Sequence, residues 1–305
     1  MSKNVAVIGV PMDFGQLLRG VDMGPAAVRY TGLISKLRIL GHKVQDLGDI
    51  RIPIRDCNAD ICDDGHTPQI DKKKYVKEIT KVCESIYTVG KQAIENDQFP
   101  LFIGGDHSIA VGTVAAVTDK EPSGLIWIDA HADFNTPQTS PSGNIHGMPL
   151  AVLLGEGHPS LVNVGRPGAK VLPENVVLIG QRDLDFGEKQ RLKKTGLTIF
   201  TMRDIDEQGI NAIVNKTLIR FVHLKRVHLT LDMDAIDPVE APGVGTPVPG
   251  GITYREAHLL MESLADSGKL TSMDLVEINP ILDEANKTAK LAVELTLSAM
   301  GKSIL

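Results

Sequence analysis

Eight short apolar or β-branched runs, most of them separated by stretches with helical periodicity, constrain this chain more than any other feature. They occupy residues 5–10, 43–47, 99–103, 124–128, 176–179, 197–201, 227–231 and 272–276. Near-continuous apolarity suits strands covered on both faces, the habit of parallel sheets. Pro25 stands where a first-turn proline belongs, and Val28, Leu33, Leu37 and Leu40 follow before Gly41, so one helix is expected over residues 25–40. Val76, Ile79, Val82, Ile86, Val89 and Ala93 recur at three to four residues and predict the longest amphipathic helix. Thr253 with Glu256 three residues later forms a capping box for a helix that Gly268 closes, and a last helix is expected from about Glu284 to Met300. Such a chain builds either an open doubly wound sheet or an eight-stranded barrel, and periodicity does not separate them. Both place ligands at the carboxyl ends of the strands.

A chain of 305 residues can bury a large core. The polar stretch from residue 51 to 74, with Pro53, Gly65 and Pro68, reads as a surface excursion rather than a linker, so a single domain over residues 1–305 is expected. The net charge of −6 offers nothing to nucleic acid or to an anionic membrane and mildly suits a cationic ligand. No apolar run is long enough to span a bilayer, and the first residues lead straight into a strand-like run without a signal sequence. Three cysteines cannot all pair within one chain, which points to a reducing cytoplasm. Cys57, Cys62 and His66 share one polar loop, but their spacing fits no four-ligand zinc pattern.

The chemistry gathers where apolar runs turn abruptly polar. After residues 125–128 come Asp129, His131 and Asp133, at i, i+2 and i+4. In an extended chain those side chains share one side, where two carboxylates and an imidazole would repel or desolvate one another unless a cation joined them. The run at residues 99–103 leads into Gly104, Gly105, Asp106, His107 and Ser108, where Asp106 would also serve as a helix cap. The run at residues 227–231 leads into Asp232 and Asp234, again two apart. Parallel strand ends share one edge, so His107, Asp129, His131, Asp133, Asp232 and Asp234 can meet there. Their four aspartates carry −4, which one dication would leave at −2 and two would neutralise. Carboxylate-rich ligation without thiolate favours a harder ion such as Mn2+ over structural Zn2+. Two ions about 3.5–4 Å apart can share a water and lower its pKa, so the chemistry reached is metal-assisted hydrolysis.

These segments resemble the metal motifs of the ureohydrolases, the arginase family. The likeness continues through residues 142–147, 182–188, 245–247 and 276–280, in order and over nearly the whole chain. It implies an open, mostly parallel eight-stranded sheet with helices on both faces, a three-layer α/β/α arrangement that disposes of the barrel. It implies two Mn2+ ions per chain, one held by His107, Asp129, Asp133 and Asp232, the other by Asp129, His131, Asp232 and Asp234. The implied reaction, part of arginine metabolism and the urea cycle, is hydrolysis of L-arginine to L-ornithine and urea by a metal-bridging hydroxide. By motif position Glu277 would grip the guanidinium, Asp133 would help pass a proton to the leaving amine, and His146 would shuttle protons. Asn135, Ser142 and Asn144 would hold the α-carboxylate, Asp185 and Glu188 the α-amino group, and Thr246 a further substrate contact. The family's habit implies a homo-oligomer, trimer or hexamer. The competing expectation keeps the metals and changes the substrate, as in agmatinase or another guanidino-compound ureohydrolase. A metal-dependent deacetylase would carry other ligands, and a non-catalytic relative would have lost one.

Overall fold

A computed structural model describes residues 2–55 and 75–303. The expected surface excursion therefore lies outside the described residues beyond residue 55, and so do Cys57, Cys62 and His66. The strands are β1 (Asn4–Val10), β2 (Lys43–Asp49), β3 (Phe99–Gly104), β4 (Gly124–Ile128), β5 (Val176–Gln181), β6 (Thr198–Thr201), β7 (Val227–Asp232) and β8 (Leu270–Val276). The helices are α1 (Gly24–Tyr30), α2 (Leu33–Ile39), α3 (Val76–Glu95), α4 (Ala110–Val117), α5 (Pro149–Leu153), α6 (Pro159–Val162), α7 (Phe186–Leu192), α8 (Met202–Gln208), α9 (Ile210–Arg220), α10 (Tyr254–Asp266) and α11 (Lys287–Ala299).

The strands form one open sheet in the order β2-β1-β3-β8-β7-β4-β5-β6, and every pairing is parallel. Side-chain alternation splits the core between the two faces. Val5, Val7, Leu101, Ile103, Ile126, Ile128, Leu229 and Leu231 pack on one face with α2, α9, α10 and α11. Ile8, Val10, Phe102, Leu125 and Trp127 point the other way, towards α3, α4 and α5. Burial on both sides explains why the strands read as unbroken apolar runs. The edge strand β2 is exposed along most of its length, and Arg29 forks onto Asp46 there with two bonds of 2.9 Å.

The long amphipathic helix is α3, and Thr253 and Glu256 do form a capping box at the start of α10. The single helix expected over residues 25–40 is two helices. Gly32, at φ 84°, takes a left-handed turn between α1 and α2 that a continuous helix forbids. Among the described residues no helix is long and apolar enough to cross a membrane.

Candidate active site

Four neighbouring strands, in spatial order β3, β8, β7 and β4, end on one edge, and the segments leaving them carry every candidate ligand. His107 stands just beyond β3 in a short 3-10 turn. Asp106 caps that turn, accepting from the Ser108 N–H at 3.0 Å, so its cap role is real. The His107 ring lies 4.1 Å from the Trp127 ring at an interplanar angle of 14°, and its Nε2 is 2.9 Å from Thr230 Oγ1. Those contacts aim Nδ1 at three carboxylates: Asp129 Oδ2 at 3.2 Å, Asp133 Oδ2 at 3.1 Å and Asp232 Oδ2 at 3.1 Å. Nδ1 is nevertheless buried without a hydrogen bond. One N–H cannot point at three acceptors, whereas the ligands of an octahedral ion with bonds of about 2.1 Å stand about 3 Å apart.

A second cluster adjoins the first. His131 Nδ1 is 3.0 Å from Asp234 Oδ2 and 3.5 Å from Asp129 Oδ1. Asp129 thus offers one oxygen to each cluster. Among the described residues, His107 with Asp129 and Asp133, and Asp129 with His131 and Asp234, are grouped closely enough to hold an ion. Asp232 joins the first group through His107, while its Oδ1 accepts from the Asp234 N–H at 2.8 Å.

The six ligands meet, though not as an extended chain would bring them together. Asp133 has φ 49°, a left-handed kink that turns it with Asp129 towards His107 while His131 faces Asp234. Beyond β7 the chain enters a 3-10 turn at Met233–Ala235, which likewise separates Asp232 from Asp234. Two side chains, from the end of β5 and the residue after it, hold these turns. Gln181 Nε2 donates to the carbonyls of Asp129 (3.1 Å) and His131 (3.0 Å). The Arg182 guanidinium donates to the carbonyls of Asp234 (2.7 Å), Ala235 (3.0 Å) and Val248 (2.7 Å).

Crowding shifts the ionisation of the whole group. Burial, then Asp234 and Asp129, push the Asp232 carboxyl well above the carboxylate range, and burial with Asp129 raises Asp133 to about 6. Burial opposes protonation of His107, yet Asp129, Asp133 and Asp232 raise it well above an ordinary imidazole. Against the same opposition Asp129 and Asp234 push His131 up to about 12.

Asp133, Asn135, Ser142, Asn144, His146, Asp185, Glu188 and Thr246 line one cleft of about 280 Å³, together with His131, Asp232 and Asp234. Asn135 Nδ2 donates to Asp185 Oδ2 at 2.8 Å across it. Ser142 Oγ accepts from the Asn144 N–H at 3.2 Å. Two of these positions also make contacts that the sequence did not suggest. Thr246 Oγ1 donates to Asp234 Oδ2 at 2.9 Å, so it orients a candidate ligand. Glu188 is buried, and its oxygens accept from the N–H groups of Phe134 (2.8 Å) and Asp185 (3.3 Å). Burial pushes its carboxyl up to about 7 despite those bonds. Glu188 therefore lines the cleft and also braces the backbone at Asp185.

Glu277, just beyond β8 at φ 62°, is 1% exposed. Its Oε1 accepts from the His107 N–H at 2.9 Å and lies 2.9 Å from His146 Nδ1; its Oε2 accepts from Gln16 Nε2 at 2.9 Å. Sequence reasoning assigned no role to Gln16, Trp127, Thr230, Gln181 or Arg182. For Gln16 a signal existed: it lies in the first loop at the carboxyl edge of the sheet, where doubly wound folds gather ligands.

The arginase family's sequence model matches residues 3–301. The arginase of Bacillus subtilis (strain 168) is 50% identical over 306 residues, covering all of both chains. The crystal structure of Bacillus caldovelox arginase superposes with a TM-score of 0.93 at 48% identity, over 99% of this chain and 100% of that one. That of Entamoeba histolytica arginase in complex with L-ornithine gives 0.88 at 30% identity, over 99% of each.

Proposed function

The chain belongs to the arginase family, and we propose from that premise that it hydrolyses L-arginine to L-ornithine and urea in a cleft holding two Mn2+ ions. The observation that carries the reading is His107 Nδ1, buried among three carboxylate oxygens without a hydrogen bond, beside a second donor cluster that shares Asp129. The residues fit the metals. His107, Asp129, Asp133 and Asp232 would hold one ion and Asp129, His131, Asp232 and Asp234 the other, and four carboxylates balance two dications. Carboxylate-rich donors with two imidazoles and no thiolate suit a harder ion such as Mn2+ over structural Zn2+. Such a pair supplies Lewis acidity that lowers the pKa of water towards neutrality.

The chain's own side chains do the rest. Guanidinium is permanently cationic, and Glu277, fixed by backbone and amide donors behind the cleft-lining His146, supplies the opposing charge. Guanidinium reaches it by replacing the His146 imidazole on Oε1. Asp133 takes up a proton and hands it to the leaving amine, a role supported by its belonging to both the cleft and the first cluster. His146 carries protons between cleft and solvent. Asn135, Ser142 and Asn144 receive the α-carboxylate as neutral donors, in part through water. Asp185 and Glu188 form the acidic side that receives the α-amino group, and Glu188 also accepts from the Asp185 N–H.

Family membership also supports a homo-oligomer, trimer or hexamer, and three cysteines suit a cytoplasmic protein. The test of the metal reading is urea release from L-arginine with metal content measured alongside. Activity should vanish on strong chelation and return with Mn2+ as content approaches two ions per chain. Full activity at one ion would refute the paired centre.

A further inference from the structure

Glu277 can bind guanidinium only if something keeps its carboxylate in place when His146 leaves it. Two other donors reach it: the His107 N–H on Oε1 and Gln16 Nε2 on Oε2, each at 2.9 Å. Gln16 is 3% exposed and sits in the loop after β1, a segment tied down from several sides. Its neighbour Gly15 donates its N–H to Asp106 Oδ2 at 2.8 Å, and the Gly15 carbonyl accepts from the His146 N–H at 3.0 Å. Nearer β1, the Met12 carbonyl accepts from the Asp106 N–H at 2.8 Å. A Cβ on Gly15 would collide with the Asp106 carboxylate, so only glycine lets the loop approach this closely. The Gln16 carbonyl in turn accepts from Arg55 Nη1 at 3.0 Å. One short loop is thus bonded to both members of the His146–Glu277 pair.

We propose that Gln16 is a positioning residue for substrate binding, holding Glu277 in register for the guanidinium group without neutralising it. This rests on the reading of Glu277 as the guanidinium's acceptor. A carboxylate accepts and never donates, so the Gln16 amide must present its nitrogen. A lysine there would donate equally well, but it would cancel the charge that attracts a cation. A glutamate would set two carboxylates about 2.9 Å apart. A neutral amide donor meets both requirements.

The experiment compares metal-loaded wild-type protein with Gln16→Met, which keeps length and removes the donor, and Gln16→Asn, which keeps the donor and shortens its reach. KM and kcat for L-arginine are measured beside the Ki of L-ornithine, which retains the α-carbon end and lacks guanidinium, and beside metal content. Gln16→Met should raise KM for arginine about tenfold, the effect of one hydrogen bond to a charged group. The Ki of ornithine should stay within about twofold and metal content should be unchanged. Gln16→Asn should fall between, and it decides the matter if Gln16→Met does not fold. An unchanged arginine KM, or equal losses for arginine and ornithine with falling metal content, would overturn the assignment. Glu277→Gln separates the two levels: if it leaves arginine KM and kcat unaltered, the acceptor reading itself fails and the role of Gln16 falls with it.

Discussion

His146 Nδ1 lies 2.9 Å from Glu277 Oε1, so the residue read as a proton shuttle and the residue read as the guanidinium acceptor are bonded to each other. Burial by itself would lower the imidazole pKa, but the facing Glu277 carboxylate outweighs it and pushes His146 up to about 9. On the proposed reading of Glu277, incoming guanidinium would exchange one cation for another on the same oxygen. The His146 imidazolium lets Glu277 remain charged at 1% exposure before any substrate arrives.

Such an exchange should make arginine binding depend on pH. The imidazolium–carboxylate pair persists below the His146 pKa and dissolves as pH rises through it, about 9 without bound cations and lower with them. KM for arginine should fall across that interval. In His146→Asn the dependence should disappear, while kcat drops about 10²–10⁴-fold with metal content retained. A wild-type KM that is flat in pH would remove the exchange.

Trp127 donates its indole N–H to Asp129 Oδ2 at 2.9 Å and stacks on His107. Trp127→Phe keeps the stacking and deletes the donor to Asp129, a carboxylate assigned to both ions. Metal affinity should fall about 10–100-fold, read by competition with a chelator. An unchanged affinity would reduce Trp127 to a packing role.

Metal loading should release protons. Asp129, Asp133 and Asp232 outweigh burial to hold a proton on His107, and Asp129 with Asp234 do the same for His131, yet a ligating imidazole must be neutral. A histidine whose folded pKa is raised stabilises the metal-free fold fully below about 6.5, and that contribution declines as pH rises towards the folded value. Metal affinity runs the other way, since fewer protons must leave. The gap in Tm between metal-saturated and metal-free protein should therefore widen from about pH 6.5 upwards. Calorimetric titration with Mn2+ should give heats that change with the ionisation enthalpy of the buffer; heats independent of buffer would contradict this.

Asp232, Asp234 and Asp237 lie close in sequence and do different work. Asp232→Asn should cost more activity and metal than Asp234→Asn, because Asp232 is assigned to both ions. Asp237 contacts neither cluster in the hydrogen bonds it makes. Its carboxylate accepts from the N–H groups of Val239, Gly250 and Gly251 and closes the turn between β7 and α10. Asp237→Asn should retain both ions and lose about 1–3 kcal/mol of stability. Loss of metal in Asp237→Asn alone would overturn the ligand assignment.

The strands were legible because burial on both faces leaves an unbroken apolar run, and the candidate ligands because carboxylates and imidazoles crowd where those runs end. The local geometry was less so. Gly32 ends α1 with a left-handed turn that apolar spacing does not report, and Asp133 turns at φ 49° where extension was expected. Partners far apart in the chain were not legible at all. Gln16 and Glu277 are 261 residues apart, Gln181 reaches back to Asp129 across 52, and His107 meets Thr230 across 123. Such contacts exist only once neighbouring strands bring the loops together. Glu188 shows a related limit: its motif places it beside Asp185, and only the fold reveals that backbone donors occupy both its oxygens.

The central claim is that the cleft is built for arginine, and comparing L-arginine with agmatine tests it most directly. Both present the same guanidinium to Glu277 and the metals, and agmatine lacks the α-carboxylate. Without that group the donors of Asn135, Ser142 and Asn144 lose their partner. Two charge-assisted hydrogen bonds lost would cost about 3–6 kcal/mol, on the order of 10²–10⁴ in kcat/KM. Urea release from the Mn2+-loaded protein should favour arginine by that factor, and Asn144→Ala should narrow the gap by weakening arginine while both ions remain bound. Equal kcat/KM for the two substrates would contradict the account.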